Sequence, residues 1–339
     1  MDTITKQFVT LGMFIIDEFQ YLDENGDAAG KSQPSQESQG TYAAVGARIW
    51  LPPDMIGMII DRGNDFSQTF QESLESFGDE MWCFRDQPQR LTTRAVNIYR
   101  GDHRGFQYLT PRIRITPNDL HGTRLAEAKN LHFICSPSRA MDIMNEVQKT
   151  GNWEPITIYE PIPDRCIPEE LPALIEVLPK ISILSPNAEE ALSLLSITQP
   201  PSKDLIEQAC ARFLDIGVGQ NGQGHVVIRS GDMGAYVASR VRPGLWVSAY
   251  WSGKDESHVV DVTGAGNSFL GGLAAGLSLT NGDVFAAVFH AAVSASFTIE
   301  QLGLPRLTSR TDDHSEAEEW NDDHPLRRLA DLRARSGYL

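Results

Sequence analysis

The chain has 339 residues, with 45 acidic against 29 basic side chains for a net charge of -16, and is 41% hydrophobic and 8% aromatic. At roughly 100 to 200 residues per domain this is one large or two ordinary domains with material for a buried core, which excludes a disordered, collagenous or small disulfide-stapled chain. A charge this negative repels a phosphate backbone or an anionic bilayer, and no Lys/Arg-rich run reverses it locally, so neither nucleic acid nor membrane is expected as a principal partner.

Met1 to Gln7 lacks the basic stretch and apolar run of a secretory signal. Phe8 to Ile16 (FVTLGMFII) is an apolar run with β-branched content and predicts a buried strand. The polar, Gly/Ser/Gln-rich stretch from Asp23 to Gly40 reads as a loop. Apolar runs recur at Met55 to Ile60, Leu131 to Cys135, Ile156 to Tyr159, Ile181 to Leu184 and Val226 to Ile228, with helix-compatible segments between most of them. Such alternation predicts a largely parallel sheet with helices on both faces. Arg90 to Leu109 departs from this rhythm. It alternates, is rich in Thr, Val, Ile and Tyr, and reads as antiparallel strands of a small accessory sheet.

The most apolar region is broken by Asn281, Asp283 and His290, so no membrane helix is expected there and the protein reads as soluble and cytoplasmic. Thr308 to Leu339 concentrates acid and then base, and reads as a solvated tail ending in a short helix, or else as a partner-binding element. Cys83, Cys135, Cys166 and Cys210 show no C-x-x-C pair or zinc-type spacing and read as free thiols.

Val259 to Leu273 (VVDVTGAGNSFLGGL) carries the most chemistry: a strand-like start, an acid, a Gly-Ala-Gly turn and a helix of small residues. Gly264 and Gly266 allow close backbone approach to a ligand, and the first free amides of the helix would form an anion site favoured by the helix dipole. Taken alone, the pattern serves equally as a tight strand-to-helix turn that needs glycine sterically.

The whole string resembles the C-terminal signature of the PfkB family of carbohydrate and nucleoside kinases, D-T-x-G-A-G-D. Other segments line up in order over roughly residues 8 to 305. LSPNAEEA (184 to 191) is similar to that family's P-N-x-x-E segment, and IRSGDMGA (228 to 235) to its T-x-G-x-x-G nucleotide loop. Gly12 to Asp17 corresponds to the first strand with its substrate-binding acid, and Thr92 to Tyr99 with the loop after Glu18 corresponds to the lid.

The resemblance implies an α/β fold: a ribokinase-like three-layer α/β/α domain over 1–306, with a mostly parallel central sheet, a small β lid from segments 18–42 and 85–114, and a tail over 307–339. It implies an anion hole of Gly264, Ala265, Gly266 and the Asn267 amide, which would stabilise a transferring phosphoryl group. Asn187 and Glu190 would act near magnesium-bound ATP, Glu190 through water. Read from the residues alone, the same pair serves as a helix start, with Asn187 capping. Arg229, Ser230 and Gly231 would line the nucleotide, and His290 would face adenine or else be a packed histidine. Asp261 and Thr263 would hold a monovalent cation. Asp17 would bind substrate hydroxyls, with Gly40, Tyr42 and Arg165 on the substrate side. Lid strands of that family often pair between subunits, which makes a homodimer through the lid compatible with the resemblance.

Four departures bear on activity. The catalytic base position is Asn267, and an amide cannot take a proton at neutral pH, a loss that typically costs ~10² to 10⁴ in rate. A fungal branch related to the yeast protein for maintaining killer virus carries Asn there, and TYAAVGAR (41 to 48) is also similar to that branch. The sugar signature G-G-x-x-x-N is reduced to Gly40, with Tyr42 or Ala44 at its asparagine. The nucleotide-loop threonine is Arg229, and D-P-N-x-R reads Glu160, Pro161, Ile162, Pro163, Asp164, Arg165. Three functions follow: an ATP-dependent phosphotransferase acting on a hydroxyl of a sugar-like or nucleoside-like molecule, an inactive nucleotide- or metabolite-binding pseudokinase, and a dehydration or rearrangement on the same fold.

Overall fold

The structure is a computed structural model that describes residues 5–22, 34–35, 39–100, 103–309 and 318–338. Its centre is a nine-stranded sheet in the spatial order Leu245–Val247, Ala235–Ser239, His225–Arg229, Ile183–Leu184, Ile156–Pro161, Asn130–Cys135, Phe8–Thr10, Ile56–Gly63, Trp82–Gln87. Only Ala235–Ser239 runs against its neighbours. The inner strands are buried on both faces, which is why they read as continuous apolar runs.

Helices cover both faces. Gln39–Arg48, Ala265–Leu279 and Val284–Thr298 pack on one side through a core that includes Ala43, Leu273 and Phe289. Pro137–Lys149, Leu171–Val177, Ala188–Leu194 and Lys203–Ile216 cover the other through Phe133, Ile143, Leu192 and Phe213. Side-chain caps start them where polar residues precede apolar runs: Ser136 accepts from the Arg139 amide, Ser202 from Leu205 and Asp283 from Phe285. Among the described residues no helix is long and apolar enough to cross a membrane.

Three expectations change. The run 8 to 16 is two elements: the strand ends at Thr10, and the chain turns where Gly12 meets Gly40. A Cβ on Gly12 would lie 2.6 Å from the Gly40 Cα, so only two glycines allow this crossing. Ile16–Leu22 then joins a second sheet, ordered Pro34–Ser35, Ile16–Leu22, Arg94–Arg100, His103–Tyr108. Arg94–Arg100 is antiparallel to His103–Tyr108 as expected and also parallel to Ile16–Leu22. Trp82–Gln87, at the start of the second lid segment, is the edge of the central sheet, and residues 39–48 are helical; residues 23–33, 36–38 and 101–102 lie outside the described residues.

The C-terminal segment ends in the expected short helix, Pro325–Arg335, but its described residues dock onto the domain and do not form a solvated tail. Leu307–Ser309 pairs with Glu319–Trp320, Trp320 is fully buried with its ring stacked on Phe77, and Pro325–Arg335 packs against Val284–Thr298. Buried Arg328 bonds the Ser296 hydroxyl at 2.9 Å, pairs with Glu300 and Asp323 at 2.7 Å each, and lies 3.7 Å above the Phe297 ring. The apolar spacing at Leu329 and Leu332 is what docks this helix. The acidic residues Asp312, Asp313 and Glu316 lie outside the described residues.

Candidate functional site

A cleft of about 1420 Å³ opens at the C-terminal ends of the central strands, where ligands bind in open α/β sheets. Asp17, on the second sheet, and Tyr42 border it, as do Arg229, Ser230, Gly231 and Asn187. Trp251, Val262, Ala295 and Ile299 add apolar lining. Arg328 lies 5.2 Å from the rings of both Tyr250 and Trp251, so the C-terminal helix supports that apolar wall.

The cleft floor is the start of helix Ala265–Leu279. Its N-cap residue, Gly264, has φ +77 and lies over the Tyr42 ring, where a Cβ would collide, so both backbone hand and space require glycine. Val259 to Thr263 precedes it as irregular chain, not as the expected strand, after a 3-10 turn at Gly253–His258. No side chain among the described residues caps this helix. Ser268 makes the first helical bond, to Gly264, so the Gly266 and Asn267 amides have no intrahelical carbonyl. With the dipole behind them they suit an anion.

Beside this turn stands a group of side chains drawn from separate strands. Glu160, near the end of Ile156–Pro161, accepts from Asn267 Nδ2 at 2.8 Å and pairs with Arg229 Nη2 at 2.8 Å. His132 Nε2 lies 3.6 Å from the same carboxylate. Arg229, the last residue of its strand, also donates to the Ser185 carbonyl at 3.2 Å, and its Nη1 fills the space that a Cβ on Gly266 would need. Burial pushes Glu160 upward, but Arg229 and His132 outweigh it and hold the carboxyl below its ordinary range, so it is ionised. A carboxylate only accepts hydrogen bonds, so the Asn267 NH₂ faces Glu160 and its Oδ1 remains an acceptor.

Asn187 and Glu190 form a reciprocal cap on helix Ala188–Leu194: Asn187 Oδ1 accepts from the Glu190 amide at 2.8 Å, and Glu190 Oε2 from the Asn187 amide at 2.7 Å. The helix-start reading of this pair is thus present in the structure, while both residues still border the cleft. Burial raises Glu190 to about 7, nearby Glu160 adds to the rise, and Arg229, at 3.7 Å, opposes it.

Four expected site residues are elsewhere. His290 does not border the cleft. It is buried, its Nδ1 lies 3.2 Å from the Ala286 carbonyl, and its ring packs edge-on to Trp50 at 4.7 Å. Burial lowers its pKa to about 4. Gly40 packs against Gly12 and Met58. Arg165 is exposed, pairs with Glu170 at 3.0 Å, and borders a smaller neighbouring pocket. Asp261 turns its Oδ1 onto the Thr263 amide at 3.0 Å, leaving Thr263 alone of the two against the cleft. Glu160 is the residue to which sequence reading gave no site role. Its signals were an acid at the end of an apolar strand run and its place at the acid of the altered D-P-N-x-R segment.

The pattern of the pfkB family carbohydrate kinases matches residues 117–309, more than half of the chain. The chain belongs to this family. Protein MAK32 of Saccharomyces cerevisiae is 33% identical to it over 99% of this chain and 94% of its own, and an uncharacterized protein of Schizosaccharomyces pombe is 32% identical over 95% and 91%. Both are fungal, the branch to which TYAAVGAR is similar. Arabidopsis thaliana ribokinase, solved with ribose and ATP, superposes over 89% of this pfkB chain and 95% of its own with a TM-score of 0.62 at 20% identity, a likeness of fold. The three-layer α/β/α expectation is met.

Proposed function

We propose that this pfkB chain is a nucleotide-dependent phosphotransferase acting on a hydroxyl of a small sugar-like or nucleoside-like molecule, with the carboxylate expected at position 267 replaced by that of Glu160, bonded behind Asn267. The observation that carries this reading is the uncapped helix start at Gly264–Asn267, flanked by Arg229 and by the bonded pair Asn267–Glu160. Nucleotide phosphates would lie along the Gly266 and Asn267 amides and Arg229, beside Ser230 and Gly231, with the base toward Trp251 and Ile299. The likeness to a ribokinase solved with ATP supports that placement.

Magnesium would be carried mainly by the nucleotide and met by Glu190, whose Oε2 is engaged by the Asn187 amide while Oε1 is left for the ion's water shell. When bound, the ion neutralises phosphate charge. A monovalent cation would lie near Asp261 and Thr263. On the acceptor side, Asp17 orients substrate hydroxyls, and Asn267 Oδ1 accepts a hydrogen bond from the reacting one. Asn267 holds that hydroxyl without removing its proton; the ionised group behind Asn267 is Glu160, one hydrogen bond further back. Slow turnover follows.

A second reading, a nucleotide- or metabolite-binding protein without turnover, is favoured by the same Asn267–Glu160 bond, which leaves no carboxylate at the base position itself. The test is label transfer from ATP to a panel of hydroxyl compounds. Asn267→Asp alone sets two carboxylates at hydrogen-bond distance, and they would share a proton. Asn267→Asp with Glu160→Gln instead moves the charge to 267. The double variant is expected to exceed the native rate by ~10² or more, and the single variant by less. No transfer by any variant that binds nucleotide would establish the binding protein.

A further inference from the structure

A second pocket of about 350 Å³ adjoins the cleft and shares Tyr108, Arg112, Ile162 and Asp164 with it. Four arginines border it, Arg112, Arg114, Arg139 and Arg165, in a chain whose net charge is -16. Arg165 is satisfied by Glu170 at 3.0 Å. The other three make no ion pair among the described residues. Arg112 lies 4.5 Å over the Tyr108 ring, and Arg139 spends one Nη on the Ile115 carbonyl at 3.0 Å.

Half-buried Arg139 is pulled down from its ordinary range by burial and by the adjacent charge of Arg114, with Cys135 opposing. Guanidinium groups gathered this way repel one another and leave donor forks unfilled, and an oxyanion would answer both. The pocket floor adds donors: Ser136 caps the 13-residue helix Pro137–Lys149, its hydroxyl accepting from the Arg139 amide at 3.4 Å and lying 3.1 Å from the Ser138 hydroxyl. The one acid on the wall is Asp164, at the rim shared with the main cleft.

We propose that this pocket is an oxyanion subsite: the acceptor molecule carries a phosphate or carboxylate group that Arg112, Arg114 and Arg139 hold while the rest of it reaches into the cleft past Asp17. The assignment of that molecule as a phosphoryl acceptor rests on the function proposed above. The oxyanion subsite itself rests on the arginine pocket.

The experiment is calorimetric titration of the full chain with three matched probes, a neutral hexose, its monophosphate and its sugar acid, each with and without ATP and magnesium. One or both anionic probes are expected to bind at least tenfold more tightly than the neutral hexose, and whichever does so identifies the group. Arg114→Gln, at an exposed position, and Arg139→Gln are each expected to remove most of that preference, and Arg114→Lys to keep part of it. Circular dichroism verifies that each variant is folded. Equal binding of all three probes, absence of binding by any, or a preference that survives the Arg114→Gln/Arg139→Gln pair overturns the subsite. ATP binding measured in the same cell separates the two conclusions. Intact nucleotide binding without discrimination overturns the subsite alone, whereas discrimination without phosphotransfer by any variant overturns the kinase reading alone.

Discussion

Glu190 carries a conflict between burial and charge that a titration can read. It completes the cap of helix Ala188–Leu194 and sits near Glu160 and Arg229, and burial raises it to about 7. At pH below about 4.5 it is protonated in folded and unfolded chains alike. As pH rises toward 7 the unfolded chain releases this proton and the folded chain keeps it, so the folded state loses stability, to a total of about 3 kcal/mol above neutrality. Glu190→Gln preserves the cap, because glutamine also serves at that position, and removes the titration. Its stability relative to the native chain is therefore expected to rise between pH 5 and pH 8 in urea unfolding. A difference that stays flat with pH would show Glu190 to be an ordinary carboxylate. With magnesium and nucleotide bound the ionised form is favoured, and the pH dependence should shrink.

The elements owe their placement to small residues more than to large ones. A Cβ on Gly46 would strike the Ser268 backbone and one on Gly271 the Ala43 carbonyl, so helices Gln39–Arg48 and Ala265–Leu279 lie in direct backbone contact. Ser294, from the third helix on this face, ties the pair: its hydroxyl donates to the Gly46 carbonyl at 2.8 Å and its carbonyl accepts from the Ser268 hydroxyl at 3.1 Å. Tyr42 and Asn267, on the two touching helices, both border the cleft, so the spacing of the helices sets the width of the anion site. Gly46→Ala is expected to cost about 1 to 3 kcal/mol in urea unfolding, the usual range for overpacking. It should also weaken ATP binding, since the Gly266 and Asn267 amides move with their helix. A destabilised variant with unchanged nucleotide affinity would separate the packing from the site.

On the scale of the molecule, what the sequence disclosed follows burial. Inner strands such as Ile56–Gly63 and Asn130–Cys135 are buried on both faces, and their apolar runs announce them. The outer strands do not: Trp82–Gln87 and Ala235–Ser239 mix polar residues with apolar ones, and Leu245–Val247 is only three residues long. The Gly-Ala-Gly turn was legible because its chemistry lies within one short stretch. Glu160 was not, because its meaning comes from meeting Arg229 and Asn267, and its bond to Asn267 spans 107 residues. A short C-terminal helix was legible, but its docking was hidden by its surface charges, although Arg328 turns inward to a cage of aromatic rings.

This assembly implies a last prediction. The cleft draws walls from the central sheet, from helices on both of its faces, and from loops that the C-terminal helix supports. A ligand that binds only when all are assembled stabilises the folded chain as a whole, by about 2.7 kcal/mol at a hundredfold excess over its Kd. Tryptophan fluorescence reports the six tryptophans, which lie in both halves of the sequence, and far-ultraviolet circular dichroism reports the backbone. With magnesium and ATP the two thermal transitions are expected to rise together by the same amount. A rise in only one would mean that part of the cleft wall unfolds independently, and that nucleotide binding draws on that part alone.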